Sequence, residues 1–137
     1  MRLVGLREEP LDIGEVVAAL GDDASGGLTL FVGRVRDHDQ GKGVVGLDYT
    51  AHPSALGKLH EVCDRVAAAF DVHGVAAVHR VGSLAIGDVA VVVATTSAHR
   101  GTSFDASRLL IDTLKAEVPI WKHQRFSDGT EEWVGSP

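Results

Sequence analysis

The sequence holds one cysteine, Cys63, among 137 residues. This excludes an intramolecular disulfide framework and leads us to expect a reducing, cytoplasmic setting. No apolar run nears the roughly 18 residues that a bilayer-spanning helix needs. Residues 1–10 have no apolar core behind their charges, so a secretory signal is not expected. A basic surplus is missing too. The net charge is −6, which argues against a general nucleic-acid binder. There is no internal repeat, low-complexity tract or linker, and the length suits one domain over residues 1–137.

The chain is 45% hydrophobic and 23% charged, an ordinary globular balance that can bury a core. Its charge is unevenly distributed. Residues 1–33 carry two basic and six acidic side chains, whereas residues 99–125 carry five basic and three acidic ones. Two readings stay open at this point: an ordinary mixed surface, or a stretch that holds an anion.

Hydrophobic spacing predicts a short helix over residues 11–20, with Asp12 as N-cap. Strands are expected over residues 28–35 and 44–51, joined as a hairpin across the polar stretch 37–43. Pro53 opens a helix reaching about residue 70, with Leu56, Leu59, Cys63, Val66 and Phe70 on its apolar stripe. Cys63 therefore reads as a packed thiol rather than a nucleophile. Residues 75–81 and 89–96 are strands meeting around Gly87-Asp88. The second is apolar on both faces, as in a strand covered on two sides. A third helix runs over residues 102–116, stopped before Pro119, and a last strand pair covers 120–126 and 132–134. The fold class is α+β, with helices packed on mostly antiparallel strands.

Seven histidines invite a search for metal ligands. His60-Glu61-Val62-Cys63-Asp64 begins like a zinc-protease motif but has Asp64 where the second histidine belongs. No Cys-x-x-Cys is present, so no metal or cofactor is expected. His52, His60, His73 and His79 read as satisfied surface or core histidines. Ser97 and Ser103 lack a nucleophile elbow.

Residues 95–103, by contrast, run from a buried-looking strand into a helix start that carries His99 and Arg100. Helix N-termini favour anions, although a plain solvent-facing cap explains the pair equally well. Lys115 sits at the cation-favouring end of the same helix, and Lys122 alternates with Trp121 and His123 on a short strand. Arg34 and Arg36 share a face, with Val35 on the other. Each basic residue, taken singly, fits an ordinary surface.

Taken in order, the segments Phe31-Val32-Gly33-Arg34-Val35-Arg36-Asp37-His38, Thr95-Thr96-Ser97-Ala98-His99-Arg100, Leu114-Lys115 and Pro119-Ile120-Trp121-Lys122 resemble the large, catalytic subunits of molybdopterin synthase. His79-Arg80-Val81-Gly82-Ser83-Leu84 resembles the middle of that family. The resemblance implies an α/β-hammerhead-like fold with an additional antiparallel β-sheet. It also implies a homodimer, within a heterotetramer whose small ubiquitin-like subunit ends in a Gly-Gly thiocarboxylate. The implied reaction passes sulfur from that tail to cyclic pyranopterin monophosphate and builds the dithiolene of molybdopterin. By position, Lys115 and Lys122 would be catalytic. Arg34, Arg36, His99, Arg100, His123, Gln124 and Phe31 would join them in binding substrate. A partly desolvated Lys115 crowded by cations would have a lowered pKa and could move protons.

The sequence departs from the family pattern in places. It stops three residues after Val134, so a contribution from a longer tail is expected to be absent or replaced. His123-Gln124 stands where some relatives carry a basic–acidic pair. Two alternatives compete: a non-catalytic module that binds a ubiquitin-like partner or an anionic metabolite, and a ferredoxin-like metabolite sensor.

Overall fold

The computed structural model describes residues 1–135. In chain order the elements are β1 (Arg2–Arg7), α1 (Ile13–Ala19), β2 (Gly27–Arg34), β3 (His38–Asp39), β4 (Lys42–Ala51) and α2 (Ala55–Ala69). They continue with β5 (Gly74–Arg80), β6 (Gly82–Leu84), β7 (Val89–Ser97), α3 (Arg100–Glu117), β8 (Ile120–Phe126) and β9 (Glu131–Val134). They build two sheets. One is ordered β1-β5-β7-β2; the other runs β3-β4-β8-β9, with β6 on β4. All pairings are antiparallel except β1 with β5.

The first sheet is covered on both faces. Val75 and Ala77 of β5 and Val91 and Val93 of β7 pack with α2 and α3. Their neighbours Ala76, Val78, Val92 and Ala94 pack with Val16 and Leu20 around α1. This is the period-two alternation of a strand, apolar at both phases because both faces are covered. Each fully buried valine or leucine contributes about 1.5–3 kcal/mol.

Small residues let α3 approach closely. Ser107 Oγ lies 2.8 Å from Thr95 Oγ1, and Ser103 Oγ donates to Thr29 Oγ1 at 2.6 Å. These hydroxyls satisfy one another inside the core and fix α3 against β7 and β2.

The predicted hairpin of residues 28–35 with 44–51 does not form. β2 pairs with β7 in the first sheet, while β4 pairs with β8 and β6 in the second. Val35 leaves the first sheet to join Leu47, Leu84 and Ala90 in a separate small core, and this sends the chain across. Leu56 is exposed, and Ala55 takes its place in the core. The sequence reading also missed β1, β3 and β6. No helix among the described residues is long and apolar enough to cross a membrane.

Candidate functional site

A cleft of about 220 Å³ opens where the two sheets meet the last turn of α3. Arg34 enters from the end of β2, Lys115 from α3, and Lys122 from β8. Leu114, Val118, Ile120, Ala90 and Val91 give the cleft apolar walls. A smaller polar recess of about 50 Å³ adjoins it, lined by Arg34, Arg36, Asp39, Lys122 and Gln124 among others. Arg34, Tyr49 and Lys122 border both spaces.

Local backbone chemistry sets these positions. The β2–β7 register shifts between Gly33 and Arg34, and a bulge of this kind re-aims the side chain beside it. A Cβ on Gly33 would stand 2.6 Å from Val91 Cγ1, so any side chain there must push Val91 aside. On the second sheet Lys122 is opposite Tyr49 on one side and Val134 on the other. Directly opposed residues share a face, so Lys122 and Tyr49 both turn to the cleft. Gln124, opposite Leu47, falls on the same face and is only 3% exposed.

The electrostatics single out Lys122. Half-burial lowers its ammonium from the ordinary lysine range, and the charges of Lys115 and Arg36 push the same way. Asp39 and Glu132 oppose them. The partly desolvated lysine is thus Lys122, whereas Lys115, expected to be the desolvated one, is exposed. The Asp39 carboxyl is held below its usual range by the Gln124 amide, with Lys122 and Arg36 adding to the effect. Arg36 Nη2 lies 3.5 Å from Asp39 Oδ1.

The remaining predicted residues lie elsewhere in this chain. His123 faces away from Lys122, stacked on Trp133 with centroids 4.5 Å apart, and its Nε2 donates to Glu131 at 3.0 Å. Strand alternation puts it on the far side of the sheet from the cleft. Phe31 is exposed on β2, an edge strand of its sheet, and it does not line the cleft. His99 is the N-cap of α3 without a side-chain cap bond, and Arg100 follows; both are exposed. Arg100 and Lys115 lie fifteen positions apart on one helix, which is about 22 Å along the axis. Sequence reasoning missed Tyr49 and His79, which both line the cleft. Strand alternation with Leu47 was the available signal for Tyr49, and for His79 it was its place in the His79–Leu84 segment. Among the described residues no three His, Cys, Asp or Glu side chains gather as metal ligands.

Among the described residues, two joined sheets, three helices and a cationic cleft with apolar walls define an α+β protein suited to an anionic ligand with a flat or apolar body. A family model described as "MoaE protein" matches residues 6–117. Over 131 residues the chain is 44% identical to molybdopterin synthase catalytic subunit 1 of Mycobacterium tuberculosis, covering 95% of this chain and 88% of that one. It is 39% identical over 131 residues to the molybdopterin synthase catalytic subunit of Halalkalibacterium halodurans, covering 95% and 83%. The crystal structure of molybdopterin synthase from Staphylococcus aureus superimposes with a TM-score of 0.90 at 30% identity, covering 98% of each chain. The chain belongs to the MoaE family.

Proposed function

We propose that this chain is the catalytic subunit of a molybdopterin synthase. It transfers sulfur from the C-terminal thiocarboxylate of a small ubiquitin-like subunit to cyclic pyranopterin monophosphate. The observation that carries this reading is the meeting of Lys115 and Lys122, from different elements, in one cleft beside Arg34. The adjoining polar recess with Arg36 offers multidentate contacts to the cyclic phosphate. The apolar walls suit the ring system. Both substrates are anionic, so a positive cleft attracts and orients them. Lys115, at the cleft and open to solvent, is the group placed to exchange protons with the reacting atoms. Lys122 supports the developing charge. The relatives' name, a catalytic subunit, implies a companion subunit. The single thiol, Cys63, is buried, in keeping with a cytoplasmic setting.

The separation of Arg100 from Lys115 leaves His99 and Arg100 without a role inside one chain. We assign them to the cleft of a second copy. Exposed Leu28 and Phe31 on edge strand β2, with exposed Phe104 on α3, provide apolar surface for such a dimer. Mixing chains that carry K115A with chains that carry R100A tests the sharing. A shared-site dimer of one each retains one intact cleft and about half the wild-type turnover, whereas unshared sites recover nothing. The sulfur-transfer reading is tested by incubating the protein with thiocarboxylated partner and cyclic pyranopterin monophosphate. Sulfurated pterin detected by mass supports it. Stable binding of both without turnover would leave a binding module.

A further inference from the structure

His79 lies on β5 opposite Val91 of β7 and lines the cleft, with only 7% of its surface exposed. Its Nδ1 lies 2.7 Å from the Arg80 carbonyl oxygen. A carbonyl only accepts, so Nδ1 carries the ring proton and Nε2 presents a lone pair. No described residue donates to Nε2, and it is not sealed from solvent as Thr96 Oγ1 is. His79 lines the cleft, and Nε2 is the ring nitrogen left open by the Arg80 bond.

The ring is locked from a second direction by Tyr49, edge-on at 4.8 Å. Burial, with the charge of Lys115 adding, pushes the imidazole down to about 4, against the opposing pull of the Arg80 carbonyl. The ring is therefore neutral near pH 7. The cationic groups of the cleft, Arg34, Lys115 and Lys122, can only donate. Among the described residues, the side chains lining it that can accept are those of Tyr49 and His79, and the His79 acceptor is fixed in direction.

We infer that His79 Nε2 accepts a hydrogen bond from an N–H edge of the heterocyclic substrate, a specificity contact separate from the cationic cradle that holds its phosphate. The inference rests on the sulfur-transfer reading above. A site with one oriented acceptor and several donors distinguishes a nitrogen heterocycle bearing N–H groups from a plain phosphate ester. An unpaired acceptor would penalise ligands without such an edge.

The test compares His79→Gln with His79→Met. The two replacements have similar length, and only glutamine restores an acceptor near the Nε2 position. His79→Asn is a third arm that keeps a donor toward Arg80 and loses the cleft acceptor. Thermal melts check that each variant folds. We expect KM for cyclic pyranopterin monophosphate to rise roughly ten- to a hundredfold in H79M and H79N, with kcat little changed. H79Q recovers most of the affinity. Calorimetric binding of inorganic phosphate stays at the wild-type level in all three. An unchanged KM in folded H79M, equal losses in H79Q and H79M, or parallel loss of pterin and phosphate binding would overturn the inference. Absence of turnover by the wild-type protein would instead overturn the sulfur-transfer reading.

Discussion

The side-chain amide of Gln124 donates to the carboxylate of Asp39 at 2.7 Å, and this bond fastens the short strand β3 to β8 beside the polar recess. It also places a negative charge among Arg36 and Lys122, where the substrate's phosphate would sit. Removing that charge with D39N should strengthen binding of inorganic phosphate about two- to fivefold, the range of a partly exposed charge pair. Calorimetry at low and high salt checks this, and the gain should shrink as salt rises. Weaker phosphate binding in D39N would mean that Asp39 chiefly orders the strand.

Lys122 supplies the pH dependence. Half-burial lowers its pKa, helped by Lys115 and Arg36, so it loses its proton at a lower pH than a free lysine. The charge is fully present below that lowered pKa and is lost as pH rises through it. Affinity for phosphate should therefore fall on the alkaline side earlier than an ordinary lysine would allow. K122R keeps its charge throughout and should move that limb to higher pH, as read from binding curves between about pH 7 and 10.5. Identical alkaline limbs in wild type and K122R would contradict the assignment.

Much of this arrangement was legible in the sequence, for identifiable reasons. Helical spacing marked α2 and α3, and the doubly apolar run of residues 89–94 marked β7, because periodicity is a local property. Alternation also separated Lys122 from His123, but not which of the two would face the interior. That choice depends on β8 pairing with β4, far away in sequence. The same distance hid β1, whose partner β5 lies more than 70 residues on, and it produced the false hairpin. Residue order and the family resemblance joined His99 and Arg100 to Lys115, but the length of α3 holds them apart in one chain. His79 read as a satisfied surface or core histidine because nothing local reveals that one ring nitrogen is bonded and the other open.

Gly33 tests the bulge that aims Arg34. Its missing side chain leaves room for Val91 Cγ1, 2.6 Å from where a Cβ would stand. G33A should destabilise the protein by about 1–3 kcal/mol through overpacking, read as a lower urea midpoint. Adding V91A removes the clashing methyl group, so the double variant should recover part of the loss relative to V91A alone. A G33A midpoint equal to wild type would show that the strands separate at little cost.

Cys63 is fully buried, and burial pushes its thiol up to about 11. The thiolate is the reactive form, so iodoacetamide at pH 8 should label native protein very slowly and urea-unfolded protein readily. C63S should lose about 1–3 kcal/mol of stability by burying a hydroxyl in an apolar stripe. Rapid native labelling would mean that α2 opens often.

The most direct test is single-turnover sulfur transfer by wild type and by K115A, with thiocarboxylated small subunit and cyclic pyranopterin monophosphate, followed by mass detection of the dithiolene product. Wild type should form the product. K115A should bind both substrates and lose about 10²–10⁴-fold in rate, the range for removal of a positioned acid–base group. Full-rate transfer by K115A would contradict the account.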